Sequence, residues 1–368
     1  MDVEVVENIA QFESLSAEWK NLYERSGVDN PFLTHIWLSN WIRHFGKDHW
    51  LAVLARDREN GELKVATVMR VDGRRLGLIE THHSHYPDFL YARGEGGRIR
   101  EILNHLRKTH NAWAIELLQR IDGSETSETI KSIVGKRWLV LRRNPNVMRI
   151  IDIGESVESY LEGKAKKVRH ELQRKKRKIE KEGFVELERL RDEADTEKLF
   201  DAMSEIERDS WKCESGTAII SSEIERRFYR NVFQIYCRES AARGYILRLD
   251  GKPVSYLIGI VYDGTLYALK TSYKETYGKF SPGTVLFLYT IELIVRDDRK
   301  ISRIELLGGD ARWKEELATR FQSVCTYGLY PIRISSLAFY LAYRYIRPGL
   351  KRIMGSRVWR RQAQKEPL

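Results

Sequence analysis

Tyr262-Asp-Gly-Thr-Leu-Tyr-Ala-Leu-Lys270 and, after two residues, Tyr273-Lys-Glu-Thr-Tyr-Gly-Lys-Phe-Ser-Pro-Gly-Thr-Val-Leu286 decide how this chain is read. A hairpin strand enters a loop bearing Gly278 and Lys279, and Ser281-Pro-Gly283 opens a helix. Serine is a favoured N-cap, proline fits the first helical turn, and the amides that follow lack intrahelical partners. A phosphate placed there would meet N–H donors and the positive end of the helix dipole. The competing reading is an ordinary capped helix start, since Ser-Pro is common at N-termini. The region closes with Leu306-Leu-Gly-Gly-Asp-Ala-Arg-Trp-Lys314, where paired glycines let the chain turn sharply after a strand.

Outward from that stretch, strands are expected at Tyr245–Leu249, Val254–Tyr262, Leu266–Thr271 and Arg303–Leu307, with a helix from Pro282 to Asp297. Asp250-Gly-Lys-Pro253 reads as a turn, and Gly244 as the C-cap of a helix over Ser222–Ala242. Before these come a basic helix over 156–182, a strand at Phe184–Leu190 and a helix over Asp195–Cys213. The N-terminal half reads similarly. Helices are expected near Leu15–Ser26, after a turn within Asn30–Phe45, and over Gly97–His110. Strands are expected at Val3–Val5, Trp50–Ala55, Lys64–Val71, Arg75–Ile79, Ala112–Leu117 and Trp138–Val140, with a linker near Arg142–Val147. Two α/β domains, over 1–147 and 148–332, with a basic helical tail over 333–368, follow from this order and from a length beyond one typical domain.

Composition is that of a globular chain, 42% hydrophobic and 31% charged. No apolar run is long enough to span a bilayer, and Met1 leads into acidic residues rather than a signal peptide. Cys213, Cys237 and Cys325 are scattered and odd in number, which suits a reducing, cytosolic compartment. The net charge of +11 is concentrated: Lys164–Lys181 and Arg333–Arg361 each carry +8, so the remainder is mildly acidic. The first patch reads as a solvated helical face, an RNA-binding face or a contact for an anionic acceptor. The tail interleaves Phe339, Tyr340, Tyr343, Tyr345 and Trp359 with its cations. It reads as an interfacial helix on an anionic leaflet or as a docking helix.

Several marks occur in a fixed order. They are Trp19, Asn30-Pro-Phe with Trp37 and Trp41, the basic run Lys167–Gly183, and Ser210-Trp-Lys212. Asp250-Gly-Lys-Pro-Val254, Ser281-Pro-Gly283 and Gly308-Gly-Asp-Ala-Arg-Trp-Lys314 complete them. In these marks the chain resembles the FemAB-like branch of the GNAT acyltransferase superfamily, specifically the tandem acetyltransferases associated with cellulose or exopolysaccharide synthesis. The resemblance implies two GNAT folds, a mixed sheet flanked by helices in each. It also implies transfer of an acyl group from acetyl-CoA, with no metal, to an amino or hydroxyl group of an envelope or polysaccharide precursor. The common GNAT pyrophosphate loop is Gln/Arg-x-x-Gly-x-Gly/Ala, and here Tyr277-Gly-Lys-Phe-Ser-Pro-Gly283 stands in its place. FemAB relatives with altered loops use aminoacyl-tRNA, so a tRNA-dependent peptidyl ligase is the alternative enzyme. A scaffold in exopolysaccharide synthesis is the non-enzymatic one.

The site expectations follow. Lys279, Ser281, Gly283 and Thr284 would cradle the pyrophosphate, and the backbone at Leu269, Lys270 and Thr271 would meet the pantetheine arm. Asp310 is a candidate base, Lys314 a candidate oxyanion donor and Tyr273 a candidate acid for the departing thiolate. An equally weighted reading has Asp310 capping a helix over Ala311–Thr319 and Lys314 in water. Trp37, Tyr86, Asp88, Trp211 and Lys212 would line the acceptor pocket, although a buried Trp at a helix end is the commoner case. Adjacent His82 and His83 cannot both face one ion easily, and apart from Asp88 no carboxylate or Cys stands at suitable spacing from them and His85, so a metal site is not expected there. No Gly-x-Ser-x-Gly elbow occurs, which argues against a covalent serine mechanism.

Overall fold

A computed structural model describes residues 1–47, 49–79, 84–110, 114–121, 123–309 and 311–346. It divides into two compact units, one holding Met1–Asn146 with the described residues from Ser323 on, the other holding Val147–Gln322.

The first unit runs β1 (Asp2–Val6), α1 (Ile9–Ser14), α2 (Ser16–Ser26), α3 (His35–Trp41), β2 (Trp50–Arg56), β3 (Leu63–Asp72) and β4 (Arg75–Leu78). It continues with β5 (Leu90–Tyr91), α4 (Ile99–Thr109), β6 (Ala114–Ile121) and α5 (Glu125–Ile133). Strand β7 (Trp138–Asp152) carries the chain into the second unit. That unit contains α6 (Val157–Glu162), α7 (Lys166–Glu180), β8 (Val185–Leu190), α8 (Thr196–Arg208), α9 (Trp211–Glu214), α10 (Glu223–Arg238) and β9 (Ala242–Leu249). It closes with β10 (Lys252–Tyr262), β11 (Thr265–Tyr273), α11 (Pro282–Asp297), β12 (Arg303–Glu305) and α12 (Arg312–Leu317). Most of β13 (Arg320–Pro331), and α13 (Ile334–Leu341) after it, return to the first unit.

Each unit carries a mixed sheet of the same design. In the first, the order β1-β2-β3-β4-β6-β13 is antiparallel except for the parallel pair β4–β6, and β5 adds to β3. In the second, β7-β12-β11-β10-β9-β8 is antiparallel except for the parallel pair β11–β12. Both run two antiparallel hairpins, a crossover through a helix (α4 or α11) and a parallel strand. A parallel neighbour needs such a crossover because its start lies at the far end of the strand before it.

The hairpin turns are legible locally. Asp250-Gly251 and Asp263-Gly264 all have positive φ, as a two-residue type I′ turn requires, and join β9 to β10 and β10 to β11. In the second unit Leu247, Leu257, Leu266 and Ala268 pack with Tyr160, Leu172, Ile179 and the apolar length of α11 in one core. Neighbouring strand residues point the other way, where α8 and α10 pack on β9 and β10. Three layers result, with the sheet in the middle.

Five expectations need correction. The expected linker at Arg142–Val147 is the middle of β7. The guanidinium of Arg143 donates to Glu116 at 2.8 Å and lies over the Tyr343 ring, so polar residues are satisfied within a strand. Gly244 is not a helix cap but lies inside β9, where an added Cβ would stand 2.8 Å from a Leu199 methyl of α8. The basic helix over 156–182 is two helices, α6 capped by Ser156 and α7 beginning after Ala165. The helix over Asp195–Cys213 also breaks, at Asp209–Ser210, leaving α9 as a single turn. Residues 323–332 belong with the first unit, because β13 completes that sheet beside β6. His82, His83 and the tail beyond Ile346 lie outside the described residues.

Candidate functional site

The chemistry-bearing groups of the second unit gather around β11. Its parallel ladder with β12 stops at Tyr267↔Glu305, so among the described residues Ala268–Tyr273 have no strand partner on that edge. On the other edge the register with β10 jumps from Ile258↔Lys270 to Gly259↔Ala268, leaving Leu269 as the extra residue of a β-bulge. Gly259 is required there, since a Cβ would sit 2.7 Å from the Tyr267 carbonyl oxygen. A bulge re-aims the strand, and here it sets Lys270 on the face toward α8 and α10.

The loop after β11 is a 3₁₀ turn over Glu275–Phe280, tied down by Asp209 at the end of α8. Asp209 accepts the Thr276 hydroxyl at 2.6 Å, and its carbonyl accepts the Glu275 N–H, also at 2.6 Å. Pro282 occupies the first turn of α11 as expected, but Ser281 does not cap it through its side chain. Ser281 is left-handed (φ 55°), and its carbonyl takes both the Thr284 and the Val285 N–H groups. Of the first-turn amides, that of Gly283 remains without an acceptor among the described residues. A cradle of one amide replaces the expected row. The Tyr273 ring lies 3.5 Å from the place a Gly283 Cβ would take and 3.7 Å from that of Gly278. Burial, reinforced by Glu275, raises the Tyr273 phenol above its ordinary value and keeps it protonated. The Lys279 ammonium lies over the Phe280 ring at 4.6 Å, and the Lys279 carbonyl accepts from Lys178 of α7 at 2.8 Å.

On the α8/α10 face of β10 and β11 lies a buried polar cluster. The Glu207 carboxylate, fully buried on α8, accepts the Tyr256 hydroxyl at 2.6 Å and the Ile220 N–H at 3.1 Å. Lys212 reaches in from α9, and its ammonium donates to the Thr271 carbonyl at 2.7 Å. Burial lowers the Lys212 amine from its ordinary value even with Glu207 and Glu225 nearby. Lys270 is deeper: burial, and then Lys212, push its amine down to about 8. It makes no hydrogen bond or ion pair among the described residues and only lies over the Tyr229 ring at 5.4 Å. Tyr229 and Tyr256 are both held well above the ordinary phenol range, first by burial.

The remaining expected residues divide. Trp211 opens α9, partly exposed and next to Lys212. The Lys314 ammonium donates to the carbonyls of Leu307 and Gly309, closing the turn in which Leu307 and Gly308 have positive φ. Asp310 lies outside the described residues, and the N-cap position of α12 is Ala311. Trp37, Tyr86 and Asp88 all belong to the first unit. Trp37 is completely buried, with its indole N–H directed at Ser84 Oγ at 3.2 Å. The Asp88 carboxylate accepts from Phe89 N–H at 2.7 Å and the Thr126 hydroxyl at 2.9 Å, and Tyr86 presents its carbonyl to Asn30. Trp37 and Asp88 are thus hydrogen-bonded within their own unit. Among the described residues no group of three His, Cys, Asp or Glu side chains is placed to hold a metal.

Glu207, Tyr229 and Tyr256 were not anticipated. A signal existed for the first: Leu199, Phe200, Met203 and Ile206 mark the buried stripe of α8, and Glu207 continues it. A carboxylate in such a stripe must be paired.

The strand with a bulge and an open edge, running into a glycine-bearing helix start, falls within the stretch that a family model covers. Residues 166–315 match the family model described as an acetyltransferase (GNAT) domain, and this match points to acyl transfer. Similar solved structures extend over the chain. A conserved protein of unknown function from Bacteroides thetaiotaomicron matches at 12% identity and TM-score 0.58, covering 90% of this chain and 100% of that one. The C-terminal domain of a putative lysylphosphatidylglycerol synthetase from Agrobacterium fabrum matches at 11% identity and TM-score 0.56, covering 91% and 96%. FemX matches at 10% identity and TM-score 0.56, covering 92% and 99%. At such identities the likeness is one of fold. No curated protein matches this chain in sequence. Among the described residues no helix is long and apolar enough to cross a membrane.

Proposed function

We propose that this chain is an acetyl-CoA-dependent acyltransferase acting on an amino or hydroxyl group of a cell-envelope or polysaccharide precursor. The observation that carries the donor half is the open edge of β11 leading into the Gly283 amide at the start of α11. An extended amide-bearing arm adds to an open strand edge by backbone hydrogen bonds, and a pyrophosphate is met by the helix start. The acceptor nucleophile attacks the thioester carbonyl to form a C–N or C–O bond, the C–S bond breaks with departure of the thiolate, and the proton the acceptor loses passes to water. Tyr273, protonated and beside Gly283, is the group that returns a proton to the sulfur. The Lys270 amine, which has no hydrogen-bond partner among the described residues, is the group left to meet the acceptor.

Calorimetry with acetyl-CoA tests this. Binding that disappears in Gly283→Glu, whose carboxylate would cover the free amide, supports the reading. No acetyl-CoA binding by the wild-type chain overturns it. Retention of charged tRNA instead would favour the peptidyl ligase, the enzyme class that the unneutralised cations of α7 would also suit. Copurification with a synthase, with neither donor bound, would favour the scaffold.

A further inference from the structure

Helix α7 treats its cations in two ways. Lys175 is paired with Glu316 and Lys176 with Glu292, so these positive charges are neutralised where the helix packs. Arg174, Arg177, Lys178 and Lys181 follow the i, i+3, i+4, i+7 spacing of a single helix face, and all four are exposed. Together they line an open depression of about 310 Å³. Glu171 forms a bidentate pair with Arg174, at 2.9 and 2.7 Å. Among the described residues no carboxylate lies within ion-pair distance of Arg177, Lys178 or Lys181. Like charges at these spacings repel and weaken a helix, so an anion in the depression would relieve the face that carries it.

The depression is joined to the donor loop. The Lys178 ammonium donates to the Lys279 carbonyl at 2.8 Å and lies over the Phe280 ring at 5.5 Å, two residues before the first turn of α11. The cations of α7 therefore stand beside the loop where the donor's pyrophosphate would lie, within reach of a second phosphate of the same donor. Arginine with lysine is the pairing that suits a phosphate monoester, by planar bidentate donors and by point charge.

Resting on the acetyl-CoA reading above, we propose that the depression framed by Arg174, Arg177, Lys178 and Lys181 binds the 3′-phosphate of the donor's adenosine. The α7 face then selects CoA thioesters over their dephospho forms. The site is separate from the helix-start cradle, because it belongs to another helix and addresses a second phosphate.

The test compares CoA with 3′-dephospho-CoA by calorimetry, on the full chain, in the wild type and in the double variant Arg177→Gln with Lys181→Gln. Several exposed charge contacts together correspond to a preference of about tenfold for CoA at low salt. That preference shrinks as salt is added, because exposed charges are screened. The double variant should bind the two ligands equally, with its affinity for dephospho-CoA unchanged from wild type. Both substituted side chains are exposed, and an unchanged circular dichroism spectrum checks the fold. Equal affinities in the wild type overturn the depression and leave the donor reading standing. Absence of binding by either ligand overturns both, as does capture of charged tRNA without CoA.

Discussion

Replacing Lys270 by Met should make this protein more stable and less active. Met keeps the side chain as far as Cε and removes the ammonium that lies over the Tyr229 ring. The amine is pushed from its ordinary 10.5 to about 8, chiefly by burial. At about 1.4 kcal/mol for each tenfold in proton affinity, holding it charged in the folded protein costs up to about 3 kcal/mol. The sign follows from the lowered value. Below about pH 8 the amine is protonated in both folded and unfolded states, and the cost is complete. Between about 8 and 10.5 the unfolded chain holds more protons than the folded one, so the wild type gains relative stability as pH rises. Above that range the cost is gone. Urea unfolding of both proteins across this range reads the difference directly. Lys270→Met should lead by up to about 3 kcal/mol at pH 7 and lose that lead toward pH 10.5. A variant less stable at pH 7, or a lead that does not change with pH, refutes the reasoning. Loss of turnover in the stabilised variant would match a group kept at a cost in stability for its use.

Gly259→Ala drives a Cβ to 2.7 Å from the Tyr267 carbonyl oxygen at the bulge, and should destabilise by about 1–3 kcal/mol in urea titration. Tyr256→Phe leaves the buried Glu207 carboxylate without its 2.6 Å donor and should cost about 1–3 kcal/mol, read as a fall in melting temperature. Lys314→Ala removes the ammonium that bridges the Leu307 and Gly309 carbonyls and should cost about 1–2 kcal/mol. If Lys314 served an oxyanion alone, turnover would fall with no change in unfolding midpoint, and the structural role would be wrong.

Local patterns made most elements of the second unit legible. Apolar and aromatic runs marked β9, β10 and β11, Asp250-Gly251 marked the turn between the first two, and Ser-Pro-Gly marked the start of α11 where it occurs. Errors arose where one residue type serves two ends. Gly244 resembles a helix stop, yet it is a glycine because Leu199 of α8 presses on β9. Arg142–Val147 resembles a linker, yet partners distant in sequence, Glu116 and Tyr343 for Arg143, allow a strand there.

The site divides along the same line. By itself the sequence determined the order of strands, turns and crossover helix, because those depend on backbone preference and on the periodicity of apolar residues. It also placed Lys270, Lys212, Tyr273 and Gly283 among the candidates. Only tertiary structure decided what each does. The bulge at Leu269 turned Lys270 into a buried amine, and α8 brought Glu207 to Tyr256 across 49 residues of chain. The left-handed Ser281 left one amide free where a row was expected, and acids on α11 and α12 neutralised part of α7 while sparing one face. The physical reason is common to these cases. Burial and pairing set the charge, hydrogen bonding and availability of a side chain, and both are properties of what the fold packs against it.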